Sequence, residues 1–317
     1  MEAVSSKSEA LSPEGKPVQC LRLFLSVDVS GSTDYKNKNS NFEDYERHWP
    51  RFYESFFENF PNLFAKKVAS QFPTTPGRCP GVWKCLGDEI IFEDKVTGPD
   101  DCHKLVAAFC LAISEYDKDL RTDQDKFKNS GLRVKGTCWS AGFPVRNSQL
   151  NLHLHTSGDG STCDYVGPEM DTGFRVSKTT RPGRVAISMD LADILTRHNT
   201  FVPTLCFHHV GWEVLKGVFG DKPYPVIWVR EESDHPHLLP WEGHICSFTE
   251  QFRRTQSSTD ASNLQSLIHK IRLELPQLKL IKPYFTRSEM PETHKKFWEE
   301  YRRNLNQDVD MAEQISP

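Results

Sequence analysis

Residues 83–92 read WKCLGDEIIF, a Gly-Asp turn between two segments with strand character. Apolar residues lead into the turn and Ile90 to Phe92 follow it, so the stretch predicts a β-hairpin. Lys84 and Asp88 stand on either side of this turn, at the rim of the expected core. A plain hairpin explains Gly and Asp here, since both are favoured turn residues. A catalytic site would need a second carboxylate from elsewhere in the chain.

That second carboxylate is Asp28, in the stretch LFLSVDVSGST at residues 23–33. It ends an apolar strand, and a loop of four small residues follows: Ser30, Gly31, Ser32 and Thr33. Small residues let backbone N–H groups approach phosphate oxygens closely. If the two strands are neighbours, Asp28 and Asp88 converge at one sheet edge and bind divalent metal ions. Either Asp alone would more often be a turn residue, and we expect Glu89 to point to the opposite face of the sheet.

The bulk composition is that of a globular protein. The chain has 317 residues, 37% of them hydrophobic and 26% charged, which is enough for a sizeable core. A net charge of -4 argues against a general nucleic-acid binder but allows a small anionic ligand in a local pocket. The nine cysteines form no CxxC pair, which favours free thiols. Lacking a signal-peptide pattern and a membrane-spanning run, the sequence predicts a soluble, cytoplasmic protein.

The pattern along the chain divides it into three parts. Residues 1–18 are polar and predict a flexible tail. Residues 19–232 alternate strand and helix patterns, which predicts a mixed α/β domain. Residues 233–317 predict a helical extension, where Leu264, Leu267, Ile268 and Ile271 are spaced for one apolar helix face.

Two further segments belong to the same set of motifs as the Asp28 and Asp88 segments. They are CDYVGPEMDTGFRVSKTTRPGRVAIS at residues 163–188 and VGWEVLKGVFGDKPYPVIWV at residues 210–229. Together with VDVSGST and KCLGDEIIF, they resemble, in the right order, the motifs of the class III nucleotidyl cyclases, the adenylate and guanylate cyclase catalytic-domain family. The resemblance covers roughly residues 20–230. It implies a class III cyclase fold, an α/β sandwich with a mixed, mainly antiparallel sheet flanked by helices.

The resemblance also implies a role for each matching residue. Asp28 and Asp88, helped by a backbone carbonyl near Val29, would hold two Mn²⁺ or Mg²⁺ ions per site. Lys84 and Asp164 match the positions that recognise the base, and Arg175 matches the arginine that stabilises the transition state. Asp171 stands where the family has an Asn that orients the ribose, which is a departure from the pattern. For the phosphate-binding lysine the sequence offers two candidates, first Lys216 and then Lys222.

In that family the metal-binding aspartates come from one subunit and the base, ribose and transition-state residues from its partner. A chain that carries both sets implies a homodimer with two active sites at the interface. The expected reaction converts a nucleoside triphosphate into a 3′,5′-cyclic nucleotide and pyrophosphate.

Lys84 and Asp164 do not determine which nucleotide binds. Lys84 as donor and Asp164 as acceptor match adenine or cytosine, and they also match uracil if the base is rotated. The stretch GPEMDTGFR, with the GDEIIF hairpin, looks most like the bacterial pyrimidine cyclases of anti-phage signalling, which hand cyclic UMP or cyclic CMP to a separate effector. UTP is therefore the first choice and CTP the second, with Trp83 or Tyr165 filling the space a purine would take. The alternatives are an adenylate cyclase and a catalytically silent nucleotide-binding module.

Overall fold

The computed structural model describes residues 19–38, 48–122, 131–153, 161–199, 204–233 and 260–315. The predicted N-terminal tail, residues 1–18, lies outside this part of the chain. So do residues 39–47, and residues 234–259 of the predicted C-terminal extension. No helix within the described ranges is long and apolar enough to cross a membrane.

The described residues contain a seven-stranded sheet and a separate two-stranded hairpin. The strands are β1 (Cys20–Ser30), β2 (Gly81–Leu86), β3 (Glu89–Val96), β4 (Arg133–Phe143), β5 (Ser148–His153), β6 (Ser161–Val166), β7 (Val185–Ile187), β8 (Leu205–Val214) and β9 (Pro223–Glu231). The large sheet has the order β2-β3-β1-β4-β7-β9-β8, and β5 pairs with β6. Only the β4–β7 pair is parallel among these strands. This confirms the prediction of a mixed, mainly antiparallel sheet.

Helices flank the sheet on both faces. They are α1 (Ser32–Lys38), α2 (His48–Gln71), α3 (Pro99–Thr122), α4 (Pro168–Val176), α5 (Met189–Asn199), α6 (Ala261–Glu274) and α7 (Glu292–Ile315). The main core lies on the sheet face covered by α2, α3, α5 and α6. The aromatic residues of α2 point into it, and four are fully buried: Phe52, Phe56, Phe60 and Phe64. Their burial stabilises α2, which runs through Pro61 without a break.

The opposite side of the sheet, here called the α4 face, carries a smaller aromatic cluster. Phe24 of β1 stacks on Trp139 of β4 with ring centroids 5.4 Å apart. Helix α4 lies directly over this pair, because a Cβ at Gly173 would come within 2.3 Å of the Trp139 ring. A side chain at position 173 would therefore push α4 off the sheet. Asp28, four residues after Phe24 on β1, and its cross-strand partner Lys135 on β4 lie on the same face.

The first helix of the C-terminal segment packs on the main core. Leu264 and Ile268 of α6 are fully buried and Ile271 is 8% exposed, so the predicted apolar face is confirmed. Arg272, at the end of α6, forms ion pairs of 2.8 Å with Asp190 and 2.6 Å with Asp193 of α5. These contacts fix α6 to α5 through both apolar burial and charge.

Candidate active site

Asp28 and Asp88 come together where β1 ends and the β2–β3 hairpin turns. The amide of Val29 donates a hydrogen bond of 3.2 Å to the carbonyl oxygen of Asp88, which joins the turn to β1. The pKa of Asp28 is raised, mainly because burial disfavours its charged form, and the negative charge of Asp88 adds to the effect. The two aspartates are thus neighbours, and their role as metal ligands stays a prediction.

Glu89 faces this centre, so the prediction that it would point to the opposite face of the sheet is wrong. Asp28 and Glu89 are direct cross-strand partners, so their side chains lie on the same face of the sheet. The hydroxyl of Ser26, two positions before Asp28, donates a hydrogen bond to the Glu89 carboxylate. The pKa of Glu89 is raised first by burial and also by Asp28. The prediction assumed that Asp88 and Glu89 alternate within one strand. Asp88 instead lies in the turn, before β3 begins at Glu89.

Lys135 of β4 is a site residue that the sequence analysis missed. It is the other cross-strand partner of Asp28, and its ammonium nitrogen lies 3.0 Å from the Asp28 carboxylate. Three carboxylates (Asp28, Asp88, Glu89) and one ammonium leave this acidic centre with two net negative charges. No sequence signal pointed to Lys135, because its role depends on the β1–β4 register.

The donor set of the acidic centre fits a divalent cation such as Mg²⁺ or Mn²⁺. Within the described ranges, no group of three or more His, Cys, Asp or Glu side chains is placed so that it could hold a metal ion. Mg²⁺ is commonly bound by one or two carboxylates together with the phosphates of its substrate. Two net negative charges on carboxylate oxygens match this incomplete type of site, in which Asp28, Asp88 and the Val29 carbonyl would be the protein ligands.

The four small residues after Asp28 do not all form the predicted loop. Ser32 begins the short helix α1, and only Ser30 and Gly31 precede it. Gly31 has φ +84°, and the amide of Tyr35 bonds to its carbonyl oxygen at 3.0 Å. Tyr35 is buried against Phe52 with ring centroids 5.8 Å apart, which fixes the turn as helix. Ser32 is buried and Thr33 is exposed, so the two side chains differ in access to a ligand.

Lys84 and Asp164, the expected base-recognising pair, are in contact. The ammonium nitrogen of Lys84 on β2 lies 2.7 Å from the carboxylate of Asp164 on β6, and both side chains are about one-third exposed. Trp83 positions this pair, since its indole N–H donates to the Cys163 carbonyl at 3.1 Å and its ring lies 4.7 Å from the Lys84 nitrogen. Strand β6 was not predicted, because it pairs only with β5 outside the main sheet.

Of the two aromatic residues expected to fill the space of a purine, Tyr165 belongs to the core. It is 6% exposed and packs edge-on against Phe24, with centroids 5.3 Å apart. Trp83 is half-buried beside it, with centroids 5.1 Å apart. Trp83 is therefore the better placed of the two to contact a base held by Lys84 and Asp164.

Arg175 and Lys216 line a common cavity of about 500 Å³ on the α4 face. Two further cations that the sequence analysis passed over, Lys178 and Arg181, also line it. Among the described lining residues Glu213 is the one acidic group, so their charges sum to three net positive charges. Such a cavity suits a polyanion such as a phosphate chain. The signal was in the stretch RVSKTTR, residues 175–181, which carries three cations.

Two other candidates do not line this cavity. Asp171 is exposed on α4, one helical turn before Arg175, and is not among the lining residues. Lys222, the alternative phosphate ligand, is exposed and also does not line the cavity. The structure thus groups Lys216, and not Lys222, with Arg175.

The acidic centre and the cationic cavity lie on one sheet face but at opposite ends. Asp28 shares its face with Phe24, four residues earlier on β1, whose ring lies in the cluster beneath α4. The cavity is also on the α4 face, because Trp228 in its wall donates a hydrogen bond of 3.2 Å to the Thr179 carbonyl. Strand β8, which leads to Lys216, runs antiparallel to β1 and lies four strands away, or about 19 Å.

Comparison with known proteins gives structural similarities only. No family model and no curated protein matches the sequence. The adenylyl cyclase CyaB from P. aeruginosa is similar at 12% identity, with a TM-score of 0.49 over 70% of this chain and 98% of that one. The guanylate cyclase domain of RhGC from Catenaria anguillulae, solved with GTP, has 13% identity and a TM-score of 0.45 over 68% and 98%. The guanylyl cyclase Cya2 has 17% identity and a TM-score of 0.44 over 70% and 97%.

Proposed function

We propose that the protein is a homodimeric nucleotidyl cyclase whose active sites each combine the acidic centre of one chain with the cationic cavity of the other. The reaction would convert a nucleoside triphosphate into a 3′,5′-cyclic nucleotide and pyrophosphate. A triphosphate with bound divalent cations needs both an acidic centre and a cationic cavity. These are here called the two half-sites, and each chain carries one of each.

The observation that supports this most is the separation of the two half-sites on one sheet face. Within a chain, Asp28 and Lys216 lie at opposite ends of antiparallel strands that are four positions apart in the sheet. If two copies pack α4 face against α4 face about a two-fold axis that lies parallel to these faces, the acidic centre of one chain can meet the cavity of the other. The contact is mutual, which gives two equivalent sites per dimer.

Each side chain has a definite task in this reaction. Lys84 donates to the base and Asp164 accepts from it, which fixes the nucleotide's orientation. The ribose 3′-oxygen attacks the α-phosphorus, the bond from that phosphorus to the bridging oxygen breaks, and pyrophosphate leaves. Arg175 stabilises the charge that grows on the α-phosphate oxygens, and Lys216 binds the departing phosphates. A Mg²⁺ or Mn²⁺ pair at Asp28 and Asp88 would supply activation of the 3′-hydroxyl and charge neutralisation.

The preferred substrate in this proposal is a pyrimidine triphosphate, UTP first and CTP second. Its support is the resemblance of residues 167–175 to the pyrimidine cyclases together with the partly exposed Trp83, which narrows the space beside Lys84 and Asp164. The product would be a second messenger for anti-phage defence, bound by a separate effector protein. An adenylate cyclase satisfies the same donor and acceptor pair and is the second candidate.

The test is direct. Purified protein is incubated with Mn²⁺ and each of the four ribonucleoside triphosphates separately, and the products are identified by mass. Cyclic UMP or cyclic CMP supports the pyrimidine assignment, whereas cyclic AMP alone keeps the cyclase and excludes the pyrimidine preference. The absence of every cyclic product, with nucleotide binding retained, would favour the silent module.

A further inference from the structure

Lys135 is the feature of the acidic centre that the proposed reaction does not use. It is 3.0 Å from the Asp28 carboxylate, and the two side chains are 23% and 32% exposed, so the pair is partly shielded from water. The cross-strand register holds the pair together, because Asp28 and Lys135 are direct partners on β1 and β4. An ion pair set by backbone register does not need a mobile loop to form or persist.

A divalent cation would compete with the Lys135 ammonium group for the Asp28 carboxylate. A cation bound to Asp28 and Asp88 would lie a few ångströms from the ammonium group and be repelled by it. At about 5 Å in water, a charge of one and a charge of two repel by about 1.7 kcal/mol, which corresponds to more than tenfold in affinity.

We propose that Lys135 is a resident counter-ion of the acidic centre: it stabilises Asp28 while no divalent cation is bound and weakens cation binding to the free protein. Divalent cations then bind firmly only together with a triphosphate, whose oxygens complete their coordination. This inference rests on the proposed function, because it takes Asp28 and Asp88 as the metal-binding carboxylates. Glu89, the cross-strand partner of Asp28 on β3, adds negative charge that keeps the centre attractive to a divalent cation.

The experiment measures Mn²⁺ binding to the nucleotide-free protein from the electron paramagnetic resonance signal of unbound Mn²⁺. Lys135→Met should bind Mn²⁺ about tenfold more tightly than the wild type, and Lys135→Arg should resemble the wild type. The matched control is Lys95→Met on β3, which removes the same charge from the same sheet face. Lys95 is the cross-strand partner of Arg22 and lies six residues along β3 from Glu89, a distance of about 20 Å. Its loss should therefore leave the Mn²⁺ affinity unchanged.

Thermal unfolding gives a second readout that does not depend on activity. In EDTA, Lys135→Met should unfold at a lower temperature than the wild type, because three carboxylates lose their cation. Saturating Mn²⁺ should remove most of that difference, since the ion replaces the lost charge. A destabilised variant that Mn²⁺ does not rescue would overturn the counter-ion role, as would unchanged Mn²⁺ affinity in Lys135→Met.

Failure of this inference and failure of the proposed function give different results. If Asp28→Asn abolishes Mn²⁺ binding while Lys135→Met leaves it unchanged, only the counter-ion role is wrong. If the wild type and Asp28→Asn bind Mn²⁺ equally, the metal centre itself is wrong and the counter-ion role fails with it.

Discussion

Lys84 and Asp164 are 80 positions apart in the chain, yet the Lys84 ammonium lies 2.7 Å from the Asp164 carboxylate. Both groups are partly exposed, and the backbone amide of Tyr165 also donates to the Asp164 carboxylate at 2.8 Å. A base that enters this site exchanges one internal ion pair for hydrogen bonds to a donor and an acceptor that are already positioned. Specificity in the proposed reaction therefore depends on this pair.

Replacing Lys84 with Met should lower kcat/KM for the preferred nucleotide by about a hundredfold or more, because a base acceptor is left without its donor. Discrimination among the four nucleotides should fall with it. The control is Lys67→Met, which removes a lysine from the exposed 2.5 Å ion pair with Glu115 on α2 and α3, away from the site. Unchanged nucleotide ranking in Lys84→Met would exclude Lys84 from base recognition.

Replacing Arg175 with Ala should reduce kcat about a thousandfold with little change in KM, because the guanidinium is expected to act on charge that develops only in the transition state. Steady-state kinetics with the preferred nucleotide measures this split. Arg287→Ala, which removes a half-exposed arginine from the C-terminal segment, is the control and should behave like the wild type. A rise in KM at constant kcat would make Arg175 a ground-state ligand instead.

Lys178 and Arg181 should contribute to substrate binding rather than to the chemical step. They line the same cavity as Arg175 and Lys216, and a phosphate chain would interact with their charges before and after reaction alike. Lys178→Gln and Arg181→Gln should therefore raise KM several-fold at nearly constant kcat, with a weaker salt dependence of KM than the wild type. An equal loss of kcat would place these residues in the chemical step.

Much of the fold and of the site could be predicted because the signals are local. Strands β1, β2 and β3, helix α3 and the apolar face of α6 follow from hydrophobic periodicity. The meeting of Asp28 and Asp88 follows once β1 and the hairpin are neighbours. The grouping of Arg175 with Lys216 was implied by the order of motifs, and the cavity that both residues line is consistent with it.

The parts that could not be predicted depend on register and on distant packing. Lys135 joins the centre only because β4 pairs with β1 at one particular register, and Glu89 faces Asp28 for the same reason on β3. Helix α1 replaces the expected loop because Tyr35 reaches the buried Phe52 on α2. Neither a register nor a contact between distant segments is encoded in a local pattern.

Gly31 should tolerate substitution less well than Gly77, although both have a positive φ, +84° and +82°. A Cβ at Gly31 would lie 2.9 Å from the carbonyl oxygen of Gly131, whereas nothing lies within 4 Å at Gly77. Gly77→Ala should cost about 1 kcal/mol of unfolding free energy from backbone strain alone, and Gly31→Ala about 2 kcal/mol or more. Urea denaturation measures both, and equal losses would show that the Gly131 contact relaxes freely.

In the proposed dimer, each active site takes its acidic centre from one chain and its cationic cavity from the other. The most direct test mixes Asp28→Ala protein with Arg175→Ala protein, unfolded and refolded together at equal amounts with different affinity tags. Each variant alone should be inactive, while heterodimers purified on both tags carry one intact site and should recover cyclase activity. Random assortment makes half of all dimers heterodimeric, so the unpurified mixture should reach about a quarter of wild-type activity. Isolated heterodimers that stay inactive would contradict the shared site.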